Sequence, residues 1–227
     1  MQSFAVIFDL DGLMLDTERM ARAAWIRALA DYGMRLDEVA YLRVVGRSTR
    51  DSETQAILEE IFNAHLFYED LVQRRQAYYD ADIAENGIVI KPGLLELLAF
   101  LEERNIPKAV ASSSGIRSVI ARLERVGLAG QFEVLVGGDQ VINCKPAPDL
   151  FLEAARQSGI APGLCVALED SEAGIRAAYS AGMLPMMVPD LKQPEPEIVA
   201  LAYRVLPTLA DAIPVLEGFL ESGLPAG

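Results

Sequence analysis

The sequence predicts an α/β chain: a parallel sheet with helices on both faces, interrupted once by a helical insertion. Three observations carry that expectation. From Lys91-Pro92-Gly93 onward, short apolar runs alternate with amphipathic segments, the rhythm of strand–helix–strand crossovers. One further apolar run, Phe4-Ala5-Val6-Ile7-Phe8, stands apart near the N-terminus, separated from the others by a stretch with helical periodicity and no strand-like run. That first run ends in Asp9-Leu10-Asp11-Gly12, and negative charge at a strand's end lies where ligands bind in open α/β sheets.

The elements follow in order. A first strand spans about 3–9. Residues 17 to about 90 read as helical, with apolar positions at i, i+3 and i+4 in Ala24-Trp25-Ala28-Leu29 and in Ile57-Leu58-Ile61-Phe62. Asp51-Ser52-Glu53 supplies a helix start before the second of these. The rest reads as helix 93–104, strand 107–112, helix 115–126, strand 133–137, helix 148–158, strand 164–168, helix 172–181 and strand 184–188. A last strand near 203–206 precedes a helix near 208–221, and Pro189 to Pro196 reads as a polar loop. The expected domains are a Rossmann-like core, 1–16 with 91–227, and a helical cap, 17–90. A helical module rooted just after the two carboxylates is a natural lid.

Composition narrows the function classes. The chain has 227 residues, 52% hydrophobic and 23% charged, with a net charge of −13. That acidity argues against a nucleic-acid footprint and against an anionic membrane surface. No apolar run approaches the roughly 20 residues of a membrane span. The N-terminal stretch lacks the basic segment of a signal peptide, and Asp9 and Asp11 interrupt it, so a cytoplasmic location is the expectation; the oligomeric state is left open, with a monomer as the default. Cys144 and Cys165 are the two cysteines and His65 the one histidine, which offers no zinc-type cluster. Cys165, within Leu164-Cys165-Val166-Ala167-Leu168, reads as a small packed hydrophobe.

Four clusters fall at expected C-terminal strand ends. Asp9 can attack an electrophilic phosphorus, and Asp11 can move protons to and from a leaving oxygen or water; alone, the pair also reads as a turn that caps the next helix. Ser112-Ser113-Ser114-Gly115 can cradle an anion or serve as an ordinary helix cap. Lys145, fixed by Pro146 and Pro148, can neutralise phosphoryl charge or sit in a surface turn. Glu169-Asp170 can supply oxygen ligands suited to Mg2+, Asp170 directly and Glu169 in support, or cap the following helix. Taken jointly, the four supply nucleophile, acid/base, hydroxyls, cation and metal acids, the parts of an in-line phosphoryl-transfer site.

This set resembles the haloacid dehalogenase superfamily, in the subfamily with a small helical cap after the first strand. Leu15-Asp16-Thr17-Glu18 and Asp170-Ser171-Glu172-Ala173-Gly174-Ile175 are similar to the β-phosphoglucomutase-like phosphatases. The resemblance implies roles. Asp9 is nucleophile and Mg2+ ligand; Asp11 is acid/base and binds the metal through its backbone carbonyl. Ser112 and the Ser113 N–H hold the phosphoryl group, Lys145 neutralises charge, and Asp170 with Glu169 completes the metal site. The loop Val45-Gly46-Arg47-Ser48-Thr49-Arg50-Asp51 matches the family's specificity loop, where Arg47 or Arg50 can meet a second anion or remain solvated.

Two departures stand out. Cys144 precedes the motif lysine where the family often has Gly, and Ala21 occupies the position of the histidine that mutases of the family carry. The expected activity is therefore a Mg2+-dependent phosphomonoester hydrolase acting on a small phosphorylated metabolite through an aspartyl-phosphate. A phosphosugar mutase is the alternative. A 2-haloacid dehalogenase would leave Asp11 and Glu169-Asp170 without a role, and a non-catalytic binding protein is the remaining class.

Overall fold

A computed structural model describes residues 4–45 and 52–225. The chain divides into two compact units: one made of the chain up to Leu15 and from Val89 onward, the other of Asp16–Ile88.

The larger unit is built on a six-stranded sheet. Its strands are β1 (Ala5–Phe8), β2 (Lys108–Ser112), β3 (Val134–Gly137), β4 (Cys165–Glu169), β5 (Leu184–Met187) and β6 (Arg204–Val205), in the order β3-β2-β1-β4-β5-β6. Every neighbouring pair is parallel. β1 and β4 are buried at every position, which is why they read as continuous apolar runs and not as alternating ones. β1 is central, with Ile7 paired to Ala109 on one side and to Ala167 on the other. One residue further along that register, Asp9 falls beside Ala111 and Glu169. A one-residue slip would turn its carboxylate to the wrong side of the strand.

Strand parity divides the core. Ala5 and Ile7, with Ala109, Ala111, Val136, Cys165 and Ala167, pack against Leu150, Phe151, Ala154 and Ala155 of helix Asp149–Ser158 and against Ala177 and Ala178 of helix Glu172–Ser180. The alanines on these strands let both helices approach closely. Phe4 and Phe8 point the other way. Phe4 meets Phe219 of helix Ala212–Ser222 edge-on at 6.2 Å, and Phe8 meets Phe132 at 5.9 Å. Helix Leu94–Glu103 buries Leu94, Leu97, Leu98, Phe100 and Leu101. Lys91 donates to Asp190 at 2.6 Å, tying the chain entering this helix to the loop after β5.

The smaller unit holds α1 (Thr17–Ala30), α2 (Glu38–Tyr41), α3 (Ser52–Phe62) and α4 (Tyr68–Asn86). The helices of the larger unit continue the count as α5 (Leu94–Glu103), α6 (Ile116–Arg125), α7 (Asp149–Ser158), α8 (Glu172–Ser180), α9 (Pro196–Leu201) and α10 (Ala212–Ser222). α1 and α4 pack through Ala21, Ala24 and Tyr79. The short α2 is capped by Asp37, whose Oδ1 accepts from the Ala40 N–H at 2.8 Å. His65 is exposed beside Glu59. Among the described residues, no helix is long and apolar enough to cross a membrane.

Two helices escape a reading by periodicity. In α4 only Leu71 and Tyr79 are buried over 19 residues, so its apolar stripe is too sparse to place from sequence. α9 begins at Pro196 and buries only Ile198. It follows directly on the polar stretch read as a loop.

The packing of α7 under the sheet makes one expectation quantitative. Leu150 is fully buried in that cluster. Leu150→Ala is expected to destabilise the larger unit by about 2–5 kcal/mol, read as a lowered urea midpoint with an unchanged slope.

Candidate active site

The C-terminal ends of β1, β2 and β4 place their last side chains together, and the loop before α7 reaches into the same place. Asp9 leaves β1 with its N–H donating to Leu168 O at 3.0 Å, and the residue is 6% exposed. The Lys145 side chain is enclosed as well, at 5% exposure. Its ammonium donates to Asp9 Oδ1 at 2.5 Å, to Glu169 Oε1 at 2.6 Å and to the Ala111 carbonyl at 2.9 Å, which uses all three of its donors. The ammonium also lies 4.9 Å from the centre of the Phe151 ring. Cys144 does not keep the lysine away: its thiol points to the Gly138 carbonyl at 3.6 Å.

Glu169 is completely buried. While Oε1 takes Lys145, Oε2 accepts from the Asp170 N–H, the Ser171 N–H and the Ser171 hydroxyl at 3.0–3.1 Å. Ser171 in turn caps α8 by accepting from the Gly174 N–H at 3.0 Å. The carboxylate thus sits at the N-terminus of α8, where backbone donors and the helix dipole favour negative charge. Gly174 makes room for it, since a Cβ there would lie 1.8 Å from the Glu169 carboxyl carbon. Gly12 has a comparable role. Its φ of +93° belongs to glycine, and a Cβ would lie 2.2 Å from an Asp170 carboxylate oxygen.

Electrostatics follow from this geometry. Burial pushes the Asp9 carboxyl well above the usual aspartate range; Lys145 opposes the rise, and Glu169 and Asp11 add to it. Burial works against the Lys145 ammonium too, but Asp9 and Glu169 outweigh it and hold its pKa above the usual lysine value. One carboxylate oxygen from each of Asp9, Glu169 and Asp170 lies within 4.8 Å of the others. Three carboxylate oxygens this close form a hard-oxygen donor set whose chemistry fits a divalent cation such as Mg2+.

Asp11 lies apart from that trio. Its carboxylate accepts from the Ser114 hydroxyl at 2.8 Å, from the Ser112 hydroxyl at 3.3 Å, and from Arg122 Nη1 at 2.6 Å to each oxygen. Ser112 is buried and Ser113 exposed. Arg122 comes from α6 and had no place among the residues singled out from the sequence. It flanks the buried Val119 and Leu123 of that helix, a position from which a long side chain reaches inward along the core edge. The one sequence signal is a cation close to the buried stripe of the first helix after the serine run. Arg47 and Arg50 lie outside the described residues.

The thiol of Cys165 is buried in β4, which pushes its pKa up to about 11. It packs with the sheet's alanines, away from any nucleophilic use.

The chain belongs to the haloacid dehalogenase-like hydrolase family, whose model matches residues 6–188. Among proteins of known name, it is 33% identical over 184 residues to a phosphorylated carbohydrates phosphatase of Thermotoga maritima, covering 79% of this chain and 82% of that protein. It is 34% identical over 180 residues to a fructose-1-phosphate phosphatase of Escherichia coli, covering 78% and 92%. Among solved structures, a β-phosphoglucomutase from Clostridium difficile superposes with a TM-score of 0.79 at 26% identity, covering 97% of this chain and 99% of that one.

Two helix glycines, one against a carboxylate and one in open space, give a test with opposite signs. Alanine is the better helix former, yet Gly174→Ala in α8 must displace Glu169 and is expected to cost about 3 kcal/mol or more. In α10, Gly218→Ala meets nothing within 4 Å and should raise stability by up to about 1 kcal/mol. Thermal unfolding of the two variants reads both signs.

Proposed function

We propose that this chain is a Mg2+-dependent phosphomonoester hydrolase acting on a small phosphorylated metabolite, with a sugar phosphate the favoured class. The observation that carries the reading is the buried Asp9 at the end of the central strand, held by Lys145 and grouped with Glu169 and Asp170. The substrate class rests on the two phosphatases to which the chain is similar.

The mechanism assigns each residue a task. Asp9 attacks phosphorus, the bond to the leaving oxygen breaks, and an aspartyl-phosphate forms. Asp11 gives its proton to the departing alcohol and then takes one from the water that hydrolyses the acyl-phosphate. Ser112 and the Ser113 N–H bind phosphoryl oxygens. Lys145 offsets charge on Asp9 and on the phosphoryl group, and Glu169 keeps the ammonium in position. Asp9, Asp170 and the Asp11 backbone carbonyl would hold Mg2+, with Glu169 in support, and bound metal would supply electrophilic stabilisation of the phosphoryl charge. Selection among substrates is assigned to the helical domain, 17–90, with Arg47 and Arg50 as candidate contacts for a second anionic group.

A mutase reading draws on the structural likeness to β-phosphoglucomutase. Against it, Ala21 stands where mutases of the family carry histidine, and it is buried in the packing of α1 on α4. Conversion of a hexose 1-phosphate to the 6-phosphate in the presence of the bisphosphate, without release of phosphate, would favour the mutase.

The hydrolase reading is tested by phosphate release across sugar phosphates, nucleotides and p-nitrophenyl phosphate. Release is expected with Mg2+ and should fall to background in EDTA, returning when Mg2+ is added back. Asp9→Asn should lose several orders of magnitude, the scale expected for removal of a covalent nucleophile, with unfolding still cooperative. Full activity in that variant would overturn the nucleophile assignment.

A further inference from the structure

We propose that Arg122 is a positioning residue for Asp11, fixing the direction of the carboxyl group that the hydrolase reading aims at the leaving group. The inference rests on the hydrolase reading and extends it to a residue outside the strand-end motifs. Asp11 follows the end of β1 in a turn closed by Gly12, whose positive φ reverses the chain. The turn itself does not fix the rotation of the Asp11 side chain. It is held by donors from the end of β2, from the loop that follows it and from α6. Arg122 Nη1 lies 2.6 Å from both carboxylate oxygens and 2.8 Å from the Ser114 hydroxyl, which donates to Asp11 at 2.8 Å. The Ser112 hydroxyl, at 3.3 Å, is the weaker contact.

The pair is also enclosed. The Arg122 and Asp11 side chains retain 17% and 20% of their exposure, so solvent screens the attraction less than it screens a surface ion pair. Ser112 and Ser114 lie on the segment that is to bind the phosphoryl group, and Arg122 bonds to Ser114 as well as to Asp11. One guanidinium thus ties the proposed acid to Ser114, on the same loop as the proposed phosphoryl-binding groups of Ser112 and Ser113. A proton donor misplaced by an ångström loses much of its effect, so fixing this rotor bears directly on rate. A simple structural clamp between α6 and the turn would bear only on stability.

The two roles separate by leaving group. An alkyl phosphomonoester needs a proton on its departing oxygen, whereas p-nitrophenolate departs without one. General acid catalysis contributes about 10²–10⁴-fold. Arg122→Met is therefore expected to lower kcat/KM for a hexose 6-phosphate by about 10–100-fold, and for p-nitrophenyl phosphate by under about 3-fold. Arg122→Lys, which keeps a cationic nitrogen, should recover part of the loss and serves if the methionine variant does not fold. Asp11→Asn should show the same leaving-group dependence, and adding Arg122→Met to it should cost nothing further, because the group being positioned is gone. Equal losses on both substrates, no loss on either, or full additivity with Asp11→Asn would overturn the proposal. Wild-type turnover of p-nitrophenyl phosphate with Mg2+ reads the hydrolase assignment on its own. If that turnover is absent, the assignment fails and this inference with it; if it is present and the losses are equal, only the role of Arg122 fails.

Discussion

The arrangement depends on one buried ammonium. Lys145 bonds to Asp9 at the end of β1, to Ala111 in β2 and to Glu169 at the end of β4, so it joins three strands where they would otherwise end in like charges. Two carboxylates enclosed this way repel each other and pay a desolvation penalty of several kcal/mol per ion. The lysine offsets that only because its geometry is complete, with every donor used and Phe151 beneath it. The design is asymmetric. Glu169 is secured a second time by the start of α8, whereas among the described residues the Asp9 carboxylate is held by Lys145. Of the two carboxylates holding the lysine, one is fixed from both sides and the other is the one proposed as nucleophile.

The sheet order explains why these groups meet. β1 lies between β2 and β4, and the chain moves outward from it in one direction through β2 and β3 and in the other through β4, β5 and β6. In parallel sheets the crevice at such a reversal is the open place outside the strand ends. The all-buried β1 and β4 fix the register on both sides, and small residues at Ala109, Ala111 and Ala167 bring α7 close. α7 in turn fixes the end of the loop that carries Lys145. Core packing and placement of the lysine are therefore one requirement, met by the same alanines.

Legibility in the sequence followed burial. The strands β1 to β5 could be read because each is a short, largely apolar run bounded by glycine, proline or charge, and α5 to α8 because their buried residues recur at helical spacing. α4 was not separable within the helical stretch because its two buried side chains are spread over 19 residues, and α9 escaped because it buries one and opens from a proline-rich polar stretch. In the site, Asp9, Ser112, Lys145 and Glu169 were visible because each follows an apolar run or stands in a rigid proline segment. Arg122 was not. A cation in the body of an amphipathic helix ordinarily faces solvent, and only the tertiary fold shows that this one reaches a carboxylate 111 residues away.

The contrast between Asp9 and Asp11 shows why spacing alone leaves their tasks undivided. Two residues apart, identical in chemistry, they would share one face of a continuing strand. The chain instead leaves the strand at Asp9, and Gly12 turns it, so the two carboxylates meet different cations. Asp9 meets an ammonium, a compact point charge that engages one oxygen. Asp11 meets a guanidinium and two hydroxyls, which engage both of its oxygens. A nucleophile needs an oxygen left open toward the electrophile, whereas a proton carrier needs a fixed direction. The sequence places two acids at a strand end; the cations supplied by the loop before α7 and by α6 give them the different surroundings that the proposed division between attack and proton transfer requires.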